Sequence, residues 1–198
     1  MSFKDNLYEV VRGVLHPSLL QHLDVEFELI KITSYIGQGV SFDNNTAFGD
    51  NQVKDSFSHY SPFCFEALSL QLLSLFKEIT NKNLEPAYSY ARIYYNGAVM
   101  EEHIDRPSCD YSATVCISND PEPWDIWFED LNKNRFPIVL EPGDLIVYKG
   151  DVLPHWRDTY TGKRQVQAFL HYVDSDGPNA EFRFDKRPYL GFPSGTRL

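Results

Sequence analysis

Period-two alternation dominates the second half of the chain. Tyr88, Tyr90, Arg92 and Tyr94 share one parity and Ser89, Ala91, Ile93 and Tyr95 the other, the pattern of a strand whose side chains face opposite sides of a sheet. Further strands are expected over 111–118, 126–128, 137–140, 145–148 and 164–173. Between them stand turn-forming groups, Asn119-Asp120-Pro121, Asn132-Lys133-Asn134, Pro142-Gly143-Asp144 and Thr161-Gly162-Lys163. Many short strands at this spacing predict a mainly β (α+β) fold, an antiparallel sandwich or jelly roll.

Helical spacing appears in one clear place. Phe65, Leu68, Leu72, Leu75, Phe76 and Ile79 recur at intervals of three and four after Ser61-Pro62, which predicts a helix over about 62–80 with one face packed on the sheet. Residues 7–32 carry short apolar runs around a His16-Pro17 break and read as a short helix followed by a strand at about 25–32. Residues 34–61, rich in Gly, Asn, Asp and Ser, read as an extended loop and a candidate lid. The aromatic tail, with Phe182, Phe184 and Tyr189, is expected to pack on the barrel exterior.

Composition narrows the function classes. A length of 198 residues suits one domain over 1–198, with a helical and loop part to about 85, a β core over 86–174 and a tail over 175–198. The chain has 18 Lys and Arg against 28 Asp and Glu, a formal charge of −10. Such a surface repels phosphate backbones and makes nucleic acid an unlikely partner. Cys64, Cys109 and Cys116 are odd in number without Cys-x-x-Cys spacing, so neither a disulfide framework nor a zinc knuckle is indicated, and a reducing, cytoplasmic setting is expected. The opening Met-Ser-Phe-Lys-Asp-Asn has no apolar signal core, and no run approaches the roughly 18 apolar residues of a membrane span.

The chemistry gathers at two points. His103-Ile104-Asp105 follows one strand, and His155 follows the strand-like run Gly143-Asp-Leu-Ile-Val-Tyr148. Two imidazoles and a carboxylate are what a non-haem ferrous ion takes on one face, leaving its other positions open. Arg164, nine residues beyond His155, is a permanent cation able to grip a carboxylate through two parallel hydrogen bonds. A lone His-x-Asp is weak; the strand context of all three segments carries the signal.

Tyr94-x-x-Gly97-x-x-Met100-x-x-His103-x-Asp105 and Glu141-Pro-Gly-Asp-Leu-Ile-Val-Tyr148 resemble segments of the prolyl 4-hydroxylase-like 2-oxoglutarate oxygenases. The resemblance spans about residues 62–174. It implies a double-stranded β-helix with N-terminal helices packed on the barrel, a metal held by His103, Asp105 and His155, and Fe(II), 2-oxoglutarate and O2 as reactants, with ascorbate as reductant. The implied reaction is hydroxylation of an unactivated C–H, on a prolyl or other peptidyl side chain, or else on a free amino acid or small molecule. Met100 stands where the family has a second Tyr, and the spacing of nine from His155 to Arg164 is shorter than the ten of many members.

By the same resemblance, 2-oxoglutarate would meet Arg164 through its far carboxylate. Arg164 shares parity with Val166, Ala168 and Leu170 and is expected to face the barrel interior, with Arg157 as the rival anchor. Tyr94, on the face of Arg92 and Tyr90, would add a phenol hydrogen bond. Arg106, Arg157 and Arg92 are the substrate-side candidates. His171 is expected to point out of the barrel, and Trp124, Trp127 and Trp156 to serve packing. Two other classes stay open: a cupin-type metalloenzyme without 2-oxoglutarate, betrayed by an outward Arg164, and a non-catalytic jelly-roll binding module.

Overall fold

Alternation becomes two antiparallel sheets in the computed structural model, which describes residues 3–37, 49–121 and 124–197. The strands are β1 (Tyr8–Val11), β2 (Ser56–Tyr60), β3 (Leu84–Tyr95), β4 (Met100–His103), β5 (Tyr111–Asn119), β6 (Ile126–Glu129), β7 (Arg135–Ile138), β8 (Leu145–Tyr148), β9 (His155–Arg157) and β10 (Arg164–Asp174). Six form one sheet in the order β1-β8-β5-β10-β3-β2 and four form the other as β4-β9-β6-β7. The helices are α1 (Phe3–Asn6), α2 (Pro17–Gly37) and α3 (Phe63–Thr80).

Helix α2 corrects the expectation of a strand at 25–32. Leu20, Leu23 and Phe27 are buried, whereas Val25 and Leu29 are 56% and 55% exposed, so the apolar residues follow a helical stripe, and His16-Pro17 opens the helix rather than separating two elements. The strand of this region comes earlier, as β1 beside β8. Helix α2 and strand β2 also take up both ends of the expected 34–61 loop. Residues 38–48 of the proposed lid lie outside the described residues, while 49–55 are described.

The larger core lies between α2, α3 and the outer face of the six-stranded sheet. Phe27, Phe65, Leu72 and Phe76 pack there against Ala113, Val115 and Ile117 of β5 and Val166, Ala168 and Leu170 of β10. Phe27 is fully buried against the rings of Phe57 and Phe65, 5.5 and 5.6 Å away. Phe27→Ala should therefore cost about 3–5 kcal/mol of stability, read as a lower urea midpoint with unchanged slope. The opposite parity, Ser112, Thr114 and Cys116 of β5 and Gln165, Gln167, Phe169 and His171 of β10, faces the four-stranded sheet. Between these two layers lies the cavity.

The tail does more than cover the exterior. Arg187 pairs with buried Glu66 of α3 at 2.6 Å, which ties residues 180–192 across the sheet end and brings Asp185 to the cavity rim, bonded to Tyr60.

Candidate metal centre and its cavity

Strand pairing sets two imidazoles side by side. His103 ends β4 and His155 begins β9, and the two are register partners with ring centroids 4.4 Å apart. The His103 ring nitrogen Nδ1 lies 2.8 Å from the Glu101 carbonyl and that of His155 2.9 Å from the Leu153 carbonyl. A carbonyl can only accept, so each Nδ1 carries the proton and each Nε2 keeps its lone pair, the tautomer of a metal-ligating histidine. Burial also lowers the His155 pKa, favouring the neutral ring a metal requires.

Asp105 completes the group. Its backbone N–H donates to the Gly150 carbonyl at 2.8 Å, and its Oδ1 stands 3.7 Å from each Nε2. Ser112 donates to Oδ2 at 2.9 Å, which leaves Oδ1 to the histidines. The three ligand atoms all fall within 4.8 Å of one another, and two neutral nitrogens with one carboxylate oxygen fit a divalent ion of the ferrous kind. Asp105, Cys109 and His171 form a second group within the same limit. There, however, burial pushes the Cys109 thiol up to about 12, and Tyr88 and Ser112 already occupy Cys109 and His171.

Gly150 is required by this packing. A Cβ there would collide with Asp105 Oδ2 and come 2.6 Å from Ser112 Oγ and 2.8 Å from the Cys109 carbonyl. Gly150→Ala should swing the carboxylate and weaken Mn(II) binding by about 10- to 100-fold, as loss of a ligand's supporting contacts does. Isothermal calorimetry on a folded variant checks this.

Behind the metal group is a cavity of about 360 Å³ whose walls include Thr114, Ile126, Tyr148, His155 and Phe169. Arg157 follows His155 by two on β9, so it points inward as well, and it is 1% exposed. Its Nη1 donates to the Trp124 carbonyl at 2.8 Å and its guanidinium lies 4.7 Å from the Trp124 ring, yet Nε and Nη2 have no partner. Burial lowers its pKa, but a guanidinium stays charged at any physiological pH. Buried Tyr94 is close by, with only Arg92 near its hydroxyl, and the buried Gln167 amide has only the Cys116 thiol beside it. Unsatisfied buried donors around an unpaired cation mark a place shaped for an anion.

Arg164 does not share this place. It bonds Asp24 at 2.7 Å and Glu28 at 3.3 Å on α2, and Ser118 at 3.1 Å. Its neighbours in parity, Val166, Ala168 and Leu170, are apolar because they pack under the helices, not because they line the cavity. These residues do share one face of β10, but it is the face covered by the helices. His171 is corrected for the same reason: it faces the cavity, 2.9 Å from Ser112, and burial lowers its pKa to about 4, which keeps the ring neutral.

The other sequence candidates lie at the rim, already engaged. Arg92 bonds Asp50 and, at 3.3 Å, the Gln52 side-chain oxygen, while Gln52 Nε2 lies 3.1 Å from His103 Nε2. Burial alone would raise Asp50, but Arg92 and the hydrogen bonds from Val53 and Tyr90 hold it at about 2. Arg106 pairs with Asp185 at 3.0 Å. Trp124 packs edge-on against Tyr94, and Trp127 stacks on Trp156. Asp50, Gln52, Ser112, Gln167 and Asp185 escaped sequence reasoning, since single polar residues in loops, strands and a tail carry no spacing signal.

The sandwich with helices on one sheet is similar in fold to solved enzymes whose names carry prolyl hydroxylation or 2-oxoglutarate. Among solved structures, a Pseudomonas putida prolyl-4-hydroxylase matches with a TM-score of 0.65 at 13% identity over 87% of this chain and 95% of that one. HygX from Streptomyces hygroscopicus, with nickel and 2-oxoglutarate bound, gives 0.66 at 13% over 88% and 85%. The alpha ketoglutarate dependent carbocyclase SnoK from nogalamycin biosynthesis gives 0.69 at 11% over 88% and 82%. No protein-family model and no curated protein matches the sequence. At these identities the likeness establishes the fold.

Proposed function

We propose that this chain is an Fe(II)- and 2-oxoglutarate-dependent dioxygenase that hydroxylates an unactivated C–H bond. One observation carries the proposal: a His103–Asp105–His155 cluster lines the cavity, and Arg157, two residues beyond His155 on the same strand, is buried with its guanidinium only half paired. His103, Asp105 and His155 would hold the ion; Arg157, with Tyr94 and Gln167, would bind the far carboxylate of 2-oxoglutarate. The metal, when bound, supplies the oxygen activation that amino-acid side chains lack. The residues orient the co-substrate and keep water from it: Arg157 meets its carboxylate in a poorly solvated site, where a charge-assisted pair is strongest.

An outward Arg164 by itself would favour a cupin-type metalloprotein that does not use 2-oxoglutarate. The unpaired Arg157 favours the oxygenase, because an empty barrel gains nothing from a buried cation. The likeness to prolyl-4-hydroxylase supports a peptidyl side chain as substrate, a prolyl ring first, with a free small molecule as the alternative. We further read the two sheets as a double-stranded β-helix, the chain as one domain and its setting as cytoplasmic, with nucleic acid disfavoured by the acidic composition. Among the described residues no helix is long and apolar enough to cross a membrane.

The experiment is anaerobic titration with Fe(II) and 2-oxoglutarate, then admission of air with ascorbate. Succinate release and a product heavier by one oxygen are expected. A protein that binds neither metal nor 2-oxoglutarate would sink the proposal.

A further inference from the structure

The rim of the cavity neutralises itself. Asp185 accepts from Arg106 at 3.0 Å and from Tyr60 at 2.7 Å, and Asp50 accepts from Arg92, Tyr90 and Ser58. Each guanidinium at the mouth thus has its own carboxylate, unlike Arg157 in the interior. The tyrosine hydroxyls are taken up too, since Tyr88 contacts Cys109 Sγ at 3.1 Å and accepts from Arg106 at 3.3 Å.

Ring surface is present at the cavity wall, where Tyr60, Tyr88, Tyr90 and Phe169 all lie, although Arg106 covers Tyr88 at 4.6 Å and Arg92 lies over Tyr90 at 5.4 Å. Tyr60 stacks on Tyr88 with centroids 5.2 Å apart, Tyr88 lies 4.5 Å from His171, and Tyr90 with Phe169 forms the next layer inward. Aromatic faces bind other rings by stacking and C–H contact. An ionic guest would have to give up its hydration here without gaining a free counter-charge.

One polar atom stays available. Ser112 Oγ donates to Asp105 Oδ2 or to the Cys109 carbonyl, neither of which can donate back. His171 Nδ1, 2.9 Å from that same oxygen, must therefore be the donor in their bond. His171 Nε2 is then a bare acceptor on a ring that lines the cavity, next to the metal group.

We infer that the mouth selects an uncharged ring carrying one N–H or O–H, with the ring lodged against Tyr60, Tyr88, Tyr90 and Phe169 and its donor directed to His171 Nε2. This rests on the proposed function only in treating the cavity mouth as the substrate entrance. The ring can arrive free or within a peptide, and His171 is the residue that sets specificity.

A matched ligand series tests it on the full chain loaded with Mn(II) and 2-oxoglutarate without oxygen, so that Arg157 is occupied. Benzamide, N,N-dimethylbenzamide, benzoate and benzylammonium share a ring and differ in donor and charge; acetylprolinamide represents the peptidyl source. Benzamide or acetylprolinamide should bind best, with benzamide ahead of its dimethyl analogue by about fivefold, the usual worth of one hydrogen bond. His171→Phe should erase that difference, His171→Gln should restore part of it, and Tyr88→Leu should weaken every neutral ring. Tighter binding of benzoate or benzylammonium, equal binding of the two amides by wild-type protein, or no ring binding at the solubility limit would overturn the inference. The 2-oxoglutarate affinity of each preparation is scored separately. Its absence in wild-type protein counts against the dioxygenase and leaves the ring preference to stand or fall on the ligand series without the co-substrate.

Discussion

Arg157→Met is expected to stabilise the ligand-free protein and to abolish its affinity for 2-oxoglutarate. The guanidinium is nearly inaccessible, with one bond to the Trp124 carbonyl and two nitrogens without partners. Replacing a poorly compensated buried charge with an apolar side chain of similar length is worth about 1–4 kcal/mol. The lost Trp124 contact offsets part of this, so a rise of about 2–4 °C in Tm is expected, corresponding to about 1 kcal/mol in a chain of this size. The 2-oxoglutarate affinity should fall by more than about 2 kcal/mol, because its carboxylate would be desolvated with no cation to meet. Arg164→Ala is the contrast: it should lower stability slightly by freeing Asp24 and Glu28, and leave 2-oxoglutarate binding unchanged. Calorimetry and thermal melts on both variants decide. If Arg164→Ala loses the co-substrate and Arg157→Met keeps it, the anchor has been misidentified.

The second large effect is at the metal. His155→Ala should abolish succinate formation while the protein remains folded, because in the proposed site the ring is one of three ligands and its Nε2 makes no hydrogen bond that holds the sheets together. Mn(II) affinity should drop by more than about 100-fold, beyond the range seen when only a ligand's supporting partner is lost. Asp105→Asn keeps the shape and removes the charge, so it should retain the far-ultraviolet circular dichroism of the wild type and lose most of the metal binding. Unchanged Mn(II) binding in both variants would show that the cluster is not the metal site.

The longer strands of the second half and α3 were legible because alternation and helical spacing report burial on one face, whereas the short β1, β2, β4 and β9 were not. Leu145–Tyr148, buried at every position, and Tyr111–Asn119 fall within a residue or so of expectation. Pattern does not say which of two apolar environments a face meets. On β10 the residues beneath the helices look as apolar as a barrel lining, so Arg164 and His171 exchanged sides in the reading. That His103, Asp105 and His155 come together was legible because histidines are few, six in the chain, and these two stand at strand ends with a carboxylate beside one. The rim was not, since Asp50 and Asp185 come from a loop and the tail and meet Arg92 and Arg106 only through the fold. Helix α2 was hidden by β-branched residues at Val25, Ile30 and Ile32, whose strand preference the packing of Leu20, Leu23 and Phe27 overrides.

Strand β9 has only three residues, and both His155 and Arg157 hang from it with Trp156 on the other face. Moving this strand by a single position would carry the histidine and the arginine outward together and drive an indole into the interior. The turn over residues 149–154 is therefore a ruler: an added or deleted residue there that shifts the strand would cost the proposed metal ligand and the proposed co-substrate anchor in one stroke. Variation in length at that turn, whether natural or engineered, is predicted to come with complete inactivity rather than with graded decline.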